Sequence, residues 1–79
     1  MNTIRDEWKV FEGEVVRIDL PPQQRRDCCV AFYAGALAVM RAQMRNNDLS
    51  NAAVVALFNS WDEECVQLLI AAGQGKPIL

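Results

Sequence analysis

The chain has 79 residues, no histidine and a net charge of −2, with 52% hydrophobic and 23% charged residues. This length predicts one domain with a thin core, and the balance of residues is that of a folded chain, not a disordered one. The absence of histidine removes the commonest general base and metal ligand, and the acidic balance disfavours nucleic acid, whose phosphates attract Lys and Arg.

Targeting signals are not expected. Residues 1–7 carry acids and no apolar core, unlike a signal peptide. No apolar run approaches the roughly 20 residues that a membrane span needs. We therefore expect a protein of the cytoplasm that does not enter a membrane.

The first predicted helix covers about residues 3–17. Thr3 fits its N-cap, because an acid, Asp6, follows three residues later. Gly13 lies inside this stretch and lowers the stability of the helix by about 1 kcal/mol relative to alanine. The first helix is therefore predicted to be the weakest of the three. Apolar residues at spacings of 4, 3, 4 and 3 predict one buried face: Ile4, Trp8, Phe11, Val15 and Ile18.

The central predicted helix covers residues 22–46. Pro21 pushes Leu20 out of helical geometry, and Pro22 suits the first turn of the helix that follows. Two neighbouring apolar stripes run along this helix, which makes its apolar surface wider than one partner would cover. We therefore expect it to contact at least two other helices.

The last predicted helix covers about residues 51–72. Asp48 or Ser50 fits its N-cap, and Gly73 fits the position just after its end. The tail, 74–79, has no periodicity and is expected to be mobile.

These elements predict an all-α fold in one domain, 1–79: a long antiparallel helical hairpin with the first helix packed across it. Matched heptad spacing in the two long helices predicts the hairpin core. Its expected members are Phe32, Ala36, Leu37, Met40, Val54, Phe58, Trp61, Cys65 and Leu68.

No residues are predicted to be catalytic, to bind a cofactor or to bind a metal. The three cysteines, Cys28, Cys29 and Cys65, are an odd number, and a tetrahedral zinc site would need a carboxylate or a second chain. We interpret them as core thiols, although a Cys29–Cys65 bridge is geometrically conceivable. The acids 62–64 fan out around their helix, which predicts a solvated face or else a contact to a basic partner.

Small residues leave one side of the central helix nearly bare. Gly35 is unfavourable inside a helix, so it indicates the close approach of another backbone, either within the chain or across a dimer seam. We predict a homodimer, because the first helix can cover only part of the apolar surface. The candidate interface residues are Ala31, Tyr33, Gly35, Ala38, Leu57 and Leu69.

The motif Ala31–Ala36, AFYAGA, is the most distinctive stretch. Trp8, the Pro21–Pro22 pair and Gln24 precede it, with the acid Asp27 closer by. In this order of features the chain resembles a family of small phage and prophage proteins of unassigned function.

The resemblance spans roughly residues 8–69, and it implies a helical fold and a phage or prophage origin but no activity. This sequence departs from it at Cys28 and Cys29, where members often carry methionine and arginine.

For function, we predict a non-enzymatic phage or prophage accessory protein that acts through contacts with phage or host proteins. The sequence offers neither a nucleophile–base pair nor a metal constellation, which argues against an enzyme. The alternative is a nucleic-acid-associated regulator, which the acidic net charge disfavours.

Overall fold

Three helices form the fold in the computed structural model, which describes residues 3–46 and 50–78: α1 (Ile4–Glu14), α2 (Pro22–Asn46) and α3 (Ala52–Gly73). Helix α2 packs mainly against α3, and α1 packs against both. Arg26 reaches Ala72 and Arg41 reaches Asp62, so α2 and α3 run antiparallel. The predicted all-α, three-helix arrangement is confirmed.

Helix α1 begins with a capping box. The Thr3 hydroxyl accepts the backbone N–H of Asp6 at 3.1 Å, and the Asp6 carboxylate accepts that of Thr3 at 2.9 Å. The backbone N–H of Thr3, which donates to the carboxylate, holds the pKa of Asp6 below its usual value, and the Thr3 side chain adds to this effect. The predicted N-cap at Thr3 is therefore confirmed, and it satisfies donors that a helix start leaves without partners inside the helix.

Glu64 of α3 also caps the start of α1. Its two carboxylate oxygens accept the backbone N–H groups of Ile4 at 3.0 Å and Arg5 at 2.9 Å. A negative charge at the positive end of a helix is stabilising, and here it also joins two elements.

The other two acids of 62–64 also have partners within the chain. Asp62 accepts a hydrogen bond from Arg41 of α2 at 2.9 Å, and Glu63 accepts one from Gln67 at 2.9 Å. Glu63 is exposed, as the prediction of a solvated face has it, whereas Asp62 and Glu64 depart from that prediction because α2 and α1 supply donors to them.

Replacing Glu64 with glutamine is expected to destabilise the fold by about 1–2 kcal/mol. The amide keeps one acceptor oxygen but loses the charge and the second acceptor at the α1 N-terminus. Urea unfolding measures the loss. Glu63→Gln is the matched control and should stay within about 0.5 kcal/mol, because the hydrogen bond that Glu63 accepts comes from Gln67 of its own helix. Equal losses in the two variants would contradict the role of Glu64.

Helix α1 ends at Glu14, three residues before the predicted end at 17. Val15 is 62% exposed and Ile18 is 97% exposed, so the last two positions of the predicted stripe do not pack. The Arg25 guanidinium donates to the carbonyls of Arg17 at 2.8 Å and Ile18 at 3.3 Å. These bonds hold the linker in a non-helical path.

The core lies where all three helices meet, and α1 contributes to it. Trp8, Phe11 and Phe32 form an aromatic cluster with ring centroids 5.1–5.9 Å apart. The buried residues are Ile4, Trp8, Cys29, Tyr33, Met40, Cys65 and Leu68.

The predicted hairpin core is correct only in part. Phe32 is half-buried, whereas its neighbour Tyr33 is 1% exposed. Val54 is 36% exposed and Phe58 is half-buried against Trp61. The 11 residues of α1 span about 16 Å, so they cannot cover the whole of the longer hairpin.

The start of α3 differs from the prediction. Asn51 is the N-cap, and its side-chain oxygen accepts the N–H groups of Ala53 at 2.9 Å and Val54 at 3.3 Å. Ser50 precedes this cap, and the other predicted cap, Asp48, lies outside the described residues.

The end of α3 is a Schellman motif set by Gly75, not Gly73. Gly75 has φ +73°, which glycine adopts readily, and the N–H of Lys76 reaches the carbonyl of Ala71 at 3.0 Å. The turn directs Ile78 back onto the core, where it is half-buried. Residues 74–78 therefore differ from the mobile tail that the sequence predicted, and Leu79 lies outside the described residues.

Candidate functional site

One face of α2 is exposed and apolar for more than two turns. We call it the α2 outer face: Ala31, Ala34, Gly35, Ala38 and Val39, all exposed. Val39 is its largest side chain and is 62% exposed. A surface helix usually carries polar residues on the side away from the core, so this face is unusual. Its small side chains leave a flat surface that a second helix could approach closely.

Within residues 3–46 and 50–78, nothing packs against Gly35. A Cβ added at this position would meet nothing within 4 Å, leaving aside the helix's own nearby backbone. Of the two explanations for Gly35, tight packing within the chain is therefore wrong. The glycine lowers the helix propensity of α2 by about 1 kcal/mol without any compensating contact in the described part of the chain.

The other candidate interface residues lie elsewhere. Tyr33 belongs to the core and is 1% exposed, so its side chain is not available to a partner in this fold. This corrects the prediction for Tyr33: it shares the helix with Gly35 but faces the opposite way. Leu57 and Leu69 of α3 are half-buried, and Leu69 packs against the core.

Opposite charges flank the α2 outer face. Asp27 is exposed before its first residue, with a hydrogen bond from Gln23 at 3.0 Å, and Arg45 is exposed in the last turn of α2. Arg41 is nearer but is engaged with Asp62 of α3 at 2.9 Å. The face therefore has an acidic end and a basic end, separated by about 27 Å of helix.

A cleft lies between α1, the first two turns of α2 and residues 77–78. Its volume is about 320 Å³. A shallower depression adjoins it and shares Lys9, Glu12 and Arg25 with it. The residues that line the cleft are Trp8, Lys9, Glu12, Pro22, Arg25, Arg26, Cys29, Pro77 and Ile78. Sequence reasoning missed this site because three distant segments form it, although the adjacent Arg25 and Arg26 were a signal.

The three thiols are free, and two of them are buried. Burial raises the pKa of both Cys29 and Cys65 to about 11. Both are therefore protonated at neutral pH, and a protonated thiol is a poor nucleophile and metal ligand. Within residues 3–46 and 50–78, no three Cys, Asp or Glu side chains converge on a point that could hold a metal ion.

Comparisons with protein-family models, with curated proteins and with solved structures find no match. Among the described helices, none combines the length and the apolar character needed to cross a bilayer.

Proposed function

We propose that this chain is a non-enzymatic accessory protein of a phage or prophage that acts in the host cytoplasm through protein–protein contacts. In this proposal the α2 outer face is the contact surface, and its first occupant is a second copy of the chain. The observation that carries the proposal is the exposed Gly35, where an added Cβ would meet no other atom of the described residues within 4 Å.

The occupant is a second copy because the α2 outer face is complementary to itself. Consider an antiparallel pair of α2 helices whose two-fold axis crosses the outer face at the height midway between Ala36 and Leu37. In this pair, Gly35 of one copy faces Ala38 of the other. Small residues on both sides allow the two backbones to approach closely, and two-fold pairing is the commonest form of protein association. Helices α1 and α3 both pack against α2, and the α2 outer face is its exposed apolar side.

Charge supports the antiparallel direction. In this pairing, Asp27 of each copy lies within about one turn of Arg45 of the other. The two ends of the interface then carry one ion pair each, and the macrodipoles of the two α2 helices oppose each other. A parallel pair would instead place like charges together.

The first test is the mass in solution. The chain is expected to sediment at micromolar concentration as a dimer of about 18 kDa, twice its 8.9 kDa. Gly35→Leu should give the monomer, because the new side chain projects into the seam. The substitution raises helix propensity by up to about 1 kcal/mol, so a folding failure is not expected.

The matched control is Gly13→Leu, since Gly13 is also helical with open space around its Cβ but lies on α1. This variant should remain a dimer. A wild-type monomer would contradict the proposal, and so would a dimer that Gly35→Leu leaves unchanged.

A charge reversal tests the direction of pairing. Asp27→Arg alone and Arg45→Asp alone should each weaken dimerisation several-fold, because exposed ion pairs contribute about 0.2–1 kcal/mol and two are lost per dimer. The double variant should recover most of the affinity. Failure to recover would exclude the antiparallel pair.

The nucleic-acid alternative has less support. The net charge is −2, and both Arg25 and Arg41 are engaged with carboxylates of the same chain. We expect no retardation of random DNA in a gel at low salt, where phosphate contacts are strongest.

A further inference from the structure

The cleft between α1, the start of α2 and residues 77–78 has the features of a binding site and shares no residue with the α2 outer face. Its volume of about 320 Å³ lies at the lower end of the range for small-molecule sites. It therefore suits a short ligand with few atoms. Binding in this cleft does not depend on the proposed dimer.

The floor and one wall of the cleft are apolar. Trp8 and Cys29 are buried at its base, at 1% and 3% exposure, and Ile78 is half-buried beside them. Pro22 and Pro77 complete the wall and have no backbone N–H group. An apolar chain placed here would remove apolar surface from water and gain contacts with these side chains.

The rim carries more positive than negative charge. Lys9, Arg25 and Arg26 surround a single acid, Glu12, in a chain whose net charge is −2. Glu12 is already paired with Arg25 at 3.2 Å and with Lys9 at 3.6 Å. The cleft therefore favours an anionic head group.

In the described part of the chain, Arg26 makes fewer hydrogen bonds than Arg25, the other arginine of the cleft. Arg25 donates to Glu12 and to two linker carbonyls, whereas Arg26 makes one long hydrogen bond, at 3.4 Å, to the carbonyl of Ala72. A guanidinium has five N–H donors in a planar fork that matches a carboxylate. The nearby Glu12 carboxylate disfavours a doubly charged head such as phosphate.

We propose that this cleft binds a small amphipathic carboxylate, a molecule with a short apolar body and a single carboxylate head. The head lies against Arg26 with Lys9 nearby, and the body lies along Trp8, Cys29 and Ile78. The ligand bridges α1 and α2, so its binding stabilises the packing of α1.

The experiment uses octanoate as the probe and Trp8 as the reporter. The chain has two tryptophans, and Trp61→Phe leaves Trp8 as the only one. Octanoate, added below its critical micelle concentration, should change the Trp8 fluorescence saturably and raise the Tm. Octylamine and octanol, which share the apolar body, should not saturate the signal in the same range.

Two variants locate the site. Arg26→Gln should weaken octanoate binding about tenfold, because it removes a charge-assisted hydrogen bond. Ile78→Asp should also weaken it, because it places a negative charge beside the carboxylate ligand and removes an apolar contact. Arg41→Gln, in the second half of α2 and outside both the cleft and the proposed dimer contacts, is the control and should bind like the parent. Binding of octylamine as strong as that of octanoate, no saturable response, or no effect of Arg26→Gln would each overturn the proposal.

Discussion

Replacing Trp8 with alanine is expected to lower the free energy of unfolding by about 3–5 kcal/mol. Trp8 is the largest side chain in the core and is 1% exposed. Its ring lies 5.9 Å from Phe11 and 5.6 Å from Phe32, so it joins α1 to α2. The alanine variant loses this apolar burial and leaves a cavity that the short α1 cannot close.

Small domains have total stabilities of about 5–15 kcal/mol, so this loss should unfold a large part of the population on mild heating. Urea unfolding measured by helical circular dichroism gives the value. Val10→Ala is the control, because Val10 lies on the same helix but is 54% exposed, and it should change stability by less than about 1 kcal/mol. A loss below about 1 kcal/mol for Trp8→Ala would mean that α1 is not packed on α2.

The second large effect is expected at alkaline pH. Desolvation by burial raises the pKa of Cys29 and Cys65 from 9.0 to about 11, and it also raises the pKa of Tyr33 above its usual value. The folded chain therefore keeps these protons at a pH where the unfolded chain loses them. Stability from this source is complete below about pH 9 and falls as the pH rises through about 11.

The size of the effect follows from the shifts of the two thiols. Together the two shifts are expected to lower the free energy of unfolding by an amount on the order of a few kcal/mol across this interval. Urea unfolding at several values between about pH 8 and pH 11 measures the slope. Replacing both Cys29 and Cys65 with alanine should make the stability less dependent on pH. The matched control is Cys28→Ala, because Cys28 is only half-buried.

Tyr33 gives an independent readout because it is the only tyrosine in the chain. The absorbance of its phenolate should appear together with the loss of helical signal and not before it. A phenolate that forms while the helices remain intact would contradict the burial of Tyr33.

The two proposed surfaces lie on different sides of α2 and can be tested separately. The α2 outer face contains Gly35, and the cleft uses Arg26 and Cys29 from the side of the helix that faces α1. Variants of Gly35 should therefore leave octanoate binding unchanged, and Arg26→Gln should leave the dimer intact.

The sequence by itself determined the features that depend on near neighbours. The three helices and the capping box of Thr3 with Asp6 follow from periodicity and from contacts within one turn. The ends were less certain, since the same local rules offered Gly73 as the helix stop where the backbone uses Gly75.

Only the tertiary structure decided which side of each helix is buried and what the charges do. Two apolar stripes on α2 were equivalent by spacing, and the packing of the three helices placed Tyr33 inside and left Phe32 half-buried. Glu64 holds the start of α1 across 60 positions of sequence, and the cleft joins α1 to residues 77–78. Periodicity describes one helix at a time, whereas burial, ion pairs and cavities depend on the relative placement of several.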